Sequence, residues 1–466
     1  QTGSDDYYLG STRRDNASDS LRPTKEQILN EILPALKKAI DSTDQRDINS
    51  SCMVAMAKIG MDHPDFKLVQ VFKPRLAKND QEIAETAALA IGIAAIAGDE
   101  GEELELLASL ALDKEKGRAA TGGSAINYRT RAFATYALGL MSNMHTSLEI
   151  KRKTLEVCKQ LIEDKDMRER NIKVAAINAL SLLNIDPTED AEKALLNEAV
   201  DTLKKYYLER LGAGEQLLQA HCPTAIAKLI GRDGERVEEF KELFAADLQE
   251  RGPVKRSGNE IPESCVLALG QLVRPYDDKD DKKCPDGKYS RLLLETYSSH
   301  KDIQTKNFAI LALGQIGGEL NKEALLKEFD RGQKNQEKPW ISLALGVYSH
   351  FKYETQRDRQ PETFIGKTLY DEFKKAKDPD LVGALAIGMG LNRTTEAADD
   401  MRTRMRESEP IEGMAGYLCL GLALMDDKGS KEAIRDTVNR STYRFQLLQQ
   451  AAIALDKDVG QAALGQ

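Results

Sequence analysis

The chain has 466 residues, 41% hydrophobic and 30% charged, with 66 Lys plus Arg against 75 Asp plus Glu and a net charge of −9. This balance does not supply the concentrated basic face that a nucleic-acid groove needs, so no nucleic-acid partner is expected. The longest apolar run, residues 87–97, has 11 residues, well short of the roughly 20 that a membrane-spanning helix requires, and no transmembrane segment is expected.

The chain begins at Gln1 rather than Met, which tilts the expected compartment toward an exported or periplasmic form with its signal removed, the cytoplasm being the alternative. Residues 1–23 lack helical periodicity and are rich in Ser, Asp and Gly. They read as an extended N-terminal arm. Tyr7, Tyr8 and Leu9 are its apolar cluster; they are candidate contacts with the chain's own body, with a partner, or with another copy through an exchanged arm.

From Thr24 onward, helical patterns alternate with polar turns. Thr24 is placed to cap a first helix, in which Ile28, Ile32, Leu33, Leu36 and Ile40 recur at helical spacing and Pro34 predicts a bend. The turn DSTDQRD leads into a second helix, INSSCMVAMAKIG. Residues 67–92 repeat the arrangement, again with a proline, Pro74, in the first helix.

The second helices share a short sentence along the whole chain: AETAALAIG ending at Gly92, RAFATYALG at Gly139, ESCVLALG at Gly270, FAILALG at Gly314, WISLALG at Gly346 and LVGALAIG at Gly388. Gly317 and Gly318 follow the fourth of these as a helix stop. Eleven such helices align on one apolar residue near their ends: Ile59, Ile91, Leu138, Leu180, Leu229, Leu269, Leu313, Leu345, Ile387, Leu420 and Leu455. Four residues before this anchor, ten of the eleven are small, and one residue before it eight are alanine. Small residues recurring at those two positions let neighbouring helices approach closely in layer after layer.

Three segments depart from this frame. Residues 113–130 contain GRAATGGS, which lacks the Lys and the preceding strand of a phosphate loop and reads as a flexible connection between repeats. Residues 232–263 contain a charged helix, ERVEEFKELFAADLQE, and a loop in which Arg251, Lys255 and Arg256 form a small basic patch, a candidate contact for an acidic partner. Residues 274–289 crowd Asp277, Asp278, Asp280, Asp281 and Asp286 without the glycine and closing glutamate of a calcium loop, so they read as a solvated loop. Cys284 in this loop is expected to be exposed, whereas the other cysteines read as small core residues. Trp340, the single tryptophan, enters a helix after KNQEKP and is a further candidate contact. No two of the five histidines lie close enough to form a local ligand motif, and none is followed by Glu. Catalytic, metal and cofactor residues are therefore assigned to none of these positions, and no cofactor is expected.

These units resemble the HEAT repeat: a proline-bent first helix, an acidic turn and a second helix ending in A-L-G. The resemblance covers residues 24–456. Anchor separations scattered between 32 and 49 residues fit HEAT-like units better than the stricter tetratricopeptide spacing. The basic residue often found seven before the anchor in HEAT repeats is kept at Arg131, Lys173, Lys306 and Lys338, but not at Cys52, Ala84, Pro262 or Asp380. Later units are also similar to proteasome/cyclosome repeats. The resemblance implies an all-α, right-handed αα superhelix, an armadillo-like solenoid of about eleven helix pairs. It also implies a non-catalytic scaffold whose concave face binds other proteins or extended peptides. The alternatives are a structural subunit of a homo-oligomeric coat, shell or filament, and, more remotely, a HEAT-repeat enzyme. Residues 457–466 read as a tail or the start of a further helix, leaving the last apolar face to be covered by more chain or a neighbour.

Overall fold

The computed structural model describes residues 23–94, 100–331, 336–355, 359–441 and 443–455. Among them, regular structure is helical, with one isolated bridge between His63 and Phe66. No helix among the described residues is long and apolar enough to cross a membrane. The helices group into two compact units: described residues up to Ile230 with Pro253–Ser257, and Gly231–Gly252 with those from Gly258 onward.

In the first unit, Thr24 caps the first helix through a reciprocal box. Its hydroxyl accepts from Gln27 N at 3.1 Å and the Gln27 side chain accepts from Thr24 N at 2.8 Å. Pro34 cannot donate a backbone hydrogen bond, and the predicted bend takes the form of a π-helical stretch, Ile28–Ile32, ahead of helix Leu33–Asp41. Pro74 acts similarly: helix Leu68–Phe72 tightens into a 3₁₀ turn, Lys73–Ala77.

Every aligned anchor residue falls in a helix. In the first unit these are Arg46–Ile59, Gln81–Ala94, Tyr128–Met144, Arg170–Leu180 and Cys222–Ile230; in the second, Glu260–Leu272, Ile303–Ile316, Lys338–Thr355, Pro379–Leu391, Glu412–Leu424 and Phe445–Leu455. Within each unit, successive members of this row pack on one another, and each is also packed by a helix that comes before it in the chain. The arrangement is repeat-like and all-helical.

The A-L-G glycine is not the helix stop that its place in the sentence suggests. Helix Gln81–Ala94 runs past Gly92, helix Tyr128–Met144 past Gly139, and helix Lys338–Thr355 past Gly346. The glycine is instead a contact surface. A β-carbon on Gly92 would lie 2.4 Å from the Ala137 carbonyl oxygen, and one on Gly139 would lie 2.6 Å from Ala179 Cα. In the second unit, one on Gly314 would lie 2.3 Å from the Ala344 carbonyl oxygen, and one on Gly421 would lie 2.4 Å from that of Ala386. Ala137, Ala179, Ala344 and Ala386 are the alanines one residue before the anchor, so the glycine after one anchor meets the alanine before a neighbouring anchor across the row. The true stop in helix Ile303–Ile316 is Gly317–Gly318, at φ 77° and 91°, where a β-carbon on Gly318 would strike Tyr276 N at 2.3 Å.

Residues 113–130 correct the expectation of a flexible loop. GRAAT belongs to a short helix, Glu115–Thr121, pinned where Gly117 N donates to Ser109 Oγ at 2.7 Å. Cys284 corrects another: it is buried, with its thiol 3.4 Å from the Pro275 carbonyl oxygen.

Glycine to alanine in a helix ordinarily gains about 1 kcal/mol. At Gly314 the obstacle is backbone, which does not rotate away, so overpacking of about 1–3 kcal/mol prevails. Gly314→Ala is expected to lower the thermal midpoint, measured by circular dichroism. Gly101→Ala, at a helical position with nothing within 4 Å, is expected to leave it unchanged or raise it.

Candidate functional site

Helix C-termini leave carbonyls without intrahelical donors, and basic side chains supply many of them here. Arg131 Nε donates to Ala111 O at 3.0 Å and Lys306 Nζ to Ser298 O at 3.3 Å, each reaching the last turn of a helix earlier in the chain. These are two of the basic residues seven before the anchor. A third, Lys338, pairs with Glu372 at 2.9 Å. In the second unit, Arg232 donates to Gly270 O at 3.2 Å and Gln315 O at 2.5 Å, joining the ends of two successive row helices.

Two buried lysines are neutralised. Lys151 Nζ lies 2.7 and 2.8 Å from the two oxygens of Glu192. Lys241 Nζ lies 2.7 and 2.9 Å from those of Asp286, which also accepts from Arg274 N at 2.9 Å. Asp286 is thus a buried structural anchor inside the acidic stretch that reads as a solvated loop. Asp277 is similarly engaged, accepting from Glu319 N at 2.8 Å.

The fourth basic residue of the series, Lys173, is different. It stands in the first turn of helix Arg170–Leu180 and is only 8% exposed. Its Nζ lies 5.7 Å from the centroid of the Tyr206 ring, and among the described residues no hydrogen bond or ion pair joins it. It lines a cleft of about 510 Å³ in the first unit, with Ile162, Met167, Thr202, Tyr206 and Leu211. Lys165, Lys205, Arg210, Glu163, Glu209 and Glu215 complete the lining. Lys205 is held by Glu163 at 2.7 Å, and the Tyr206 hydroxyl donates to Glu215 at 3.5 Å. Burial pushes the Tyr206 hydroxyl up, with Glu215 adding to it, so the phenol keeps its proton. Gln219 fixes the floor, donating to Tyr206 O at 2.7 Å and Glu209 O at 2.9 Å. What the cleft offers a ligand is a cation without a carboxylate partner, beside an aromatic ring and an apolar strip, within a rim of mixed charge.

A second charged cluster joins three turns of the second unit. Lys352 Nζ lies 2.6 Å from Glu362 and 2.9 Å from Glu319, Lys322 also pairs with Glu319, and the Tyr348 hydroxyl donates to Glu319 at 3.1 Å. Lys322 and then Lys352 pull the Glu319 carboxyl down to about 2. Burial works against the charge on Lys352, but the Glu362 and Glu319 carboxylates outweigh it and hold the ammonium above its ordinary range. The cations and anions of this cluster are matched, which makes it a clamp between helices.

The residues singled out from the sequence do not converge. Tyr7, Tyr8 and Leu9 lie outside the described residues, as do 456–466. Arg251 belongs to the second unit and is exposed; Lys255 and Arg256 belong to the first. Arg256 is not a surface cation: it stacks 4.3 Å over the Tyr207 ring and donates to Tyr207 O at 3.0 Å, another helix-end carbonyl. Trp340 is half-buried, edge-on to Phe308 at 6.3 Å. The cleft was missed because its defining pair, Lys173 and Tyr206, comes from different helices; only the basic position seven before the anchor hinted at it.

A scan of protein families gives no match. A search of curated proteins gives none either. Among solved structures, the protein is similar to the crystal structure of an engineered protein from the Northeast Structural Genomics Consortium, at 16% identity and a TM-score of 0.31, covering 91% of this chain and 98% of that one. A likeness at that score carries no argument about fold or function.

Two outcomes follow from the ion pairs. Removing one member of a buried pair costs about 3–5 kcal/mol; Glu238 also pairs with Lys241 and softens the loss, so Asp286→Ala is expected near ~3 kcal/mol by urea denaturation. For Glu319, the folded value of about 2 lies below the ordinary 4.5. Its stabilisation is therefore complete above pH 4.5 and lost as pH falls toward 2. Glu319→Gln should lower the melting temperature at neutral pH, and the gap from the parent should close at the acid end of a pH series.

Proposed function

We propose that this protein is a non-catalytic protein-interaction or assembly scaffold. In this reading its helices are HEAT-like pairs, about eleven in all, wound in each unit as a right-handed αα superhelix, and the partners are other proteins or extended peptides. The supporting observation is the apolar edge of the second unit. Ile411 precedes helix Glu412–Leu424, and Tyr443 and Phe445 stand at the start of helix Phe445–Leu455. The two helices pack together, and Gln446 N donates to Glu412 at 3.2 Å across their N-terminal ends. There Tyr443 is 98% exposed, Phe445 79% and Ile411 47%. Large apolar side chains grouped at one edge and rimmed by charge suit a protein interface.

The test is the native mass of the protein purified from its own source, with mass spectrometry of whatever accompanies it. A stoichiometric second protein supports the scaffold. A homo-oligomer alone moves the reading to the structural subunit, and a lone monomer overturns both. In an assembled species, Phe445→Asp is expected to weaken association at least about tenfold while leaving the melting temperature close to that of the parent, because the side chain is exposed.

A further inference from the structure

Among the described residues three lysines are buried: Lys151 at 2%, Lys173 at 8% and Lys241 at 1% exposure. Two carry a carboxylate bound through both oxygens. The third carries none, and it is the one that borders open space. The Lys173 stem is buried while its ammonium faces the cleft, held there by one aromatic ring and by no carboxylate. The missing element is an anion, and the cleft of about 510 Å³ has the size of a ligand site.

From this arrangement we infer that the cleft binds a carboxylate carried on a peptide, either an Asp or Glu side chain or the peptide's own terminal carboxylate, seated on Lys173 Nζ. The lining narrows the choice of anion. The lining sets Lys165, Lys173, Lys205 and Arg210 against Glu163, Glu209 and Glu215, an excess of one cation that a single carboxylate matches and a doubly charged phosphate overshoots. Ile162, Met167 and Leu211 supply an apolar strip for the aliphatic part of the ligand. The rim carboxylate Glu163 is already engaged by Lys205, and Glu215 by the Tyr206 hydroxyl, so neither competes for Lys173. That the carboxylate is peptidic rests on the scaffold reading; the carboxylate preference rests on the cleft alone.

The experiment is calorimetric titration of the purified full-length protein with acetyl-glutamate amide, acetyl-glutamine amide, glutarate and inorganic phosphate, for the parent, Lys173→Met and Lys173→Arg. Acetyl-glutamate amide is expected to bind the parent at least about tenfold more tightly than acetyl-glutamine amide. That preference should vanish in Lys173→Met and persist in Lys173→Arg. Because Lys173→Met keeps a buried apolar stem of similar length and removes only an ammonium without a carboxylate partner, its melting temperature should stay close to the parent's, so a lost preference will not reflect unfolding. Equal binding of the neutral amide, an unchanged preference in Lys173→Met, or no heat from the acidic amide up to about 10 mM overturns the site. Glutarate binding more tightly than the amide overturns the peptidic source, and tighter phosphate overturns the carboxylate. A protein that purifies alone yet takes the acidic amide through Lys173 sinks the scaffold reading and leaves the carboxylate site standing.

Discussion

At successive crossings of the helix row, one backbone approaches another closely. Where Gly314 meets Ala344 or Gly421 meets Ala386, a single added β-carbon would fall 2.3 or 2.4 Å from a carbonyl oxygen. Helices that close are locked in register, since a neighbour can slide neither along nor around its partner without raising a side chain against it. Helical glycine costs about 1 kcal/mol relative to alanine, and the sequence accepts that cost repeatedly. Dispersion and weak Cα–H···O contacts between the tightly packed backbones offset it. The preceding helices then need only amphipathic faces to pack against the row, which is why their apolar patterns are simpler and their lengths vary.

Close backbones create a second requirement. Each helix end exposes carbonyls in a crowded neighbourhood where water has limited access, and a buried carbonyl without a donor is costly. Arginine, with several donors in a rigid fork, serves two acceptors from one side chain. Arg232 on two successive helix ends, Arg404 on Phe373 O and Ala376 O, and Arg256 on Tyr207 O all have this role. The basic position seven before the anchor is one version of the device, and Arg75 on Ile40 O shows it working from a different place in the unit. A basic residue in a helical repeat is therefore a helix-end donor before it is a surface charge. That ordering explains why the loop arginine Arg256 turned inward.

What was legible in the sequence is what repeats. The anchors and the small positions before them are periodic, and the prolines of the first two units, Pro34 and Pro74, perturb their helices for a local physical reason that survives in the structure. The A-L-G glycine was legible as a position and misread as a role, because a glycine near a helix end and a glycine at a helix crossing look alike without the partner helix. Lys241 with Asp286, Lys151 with Glu192 and Lys173 with Tyr206 were not legible. They join residues 45, 41 and 33 positions apart, and nothing local marks a lysine as buried. Cys284 misled for a related reason: its neighbours in sequence are charged, yet its thiol is buried and turned to Pro275.

The same reasoning separates structural charge from available charge. In the cluster of Glu319, Lys322, Lys352 and Glu362, two cations meet two anions with a tyrosine hydroxyl added, so every charge has its desolvation offset within the fold. In the cleft beside Tyr206 one cation is left over. Both arrangements sit between helices and both contain lysine, glutamate and tyrosine, so residue composition does not distinguish them. The distinction is the count of partners at each buried atom. An atom that folding leaves unmatched, beside a space large enough for its match, is where binding free energy is available without first breaking a contact that the fold already uses.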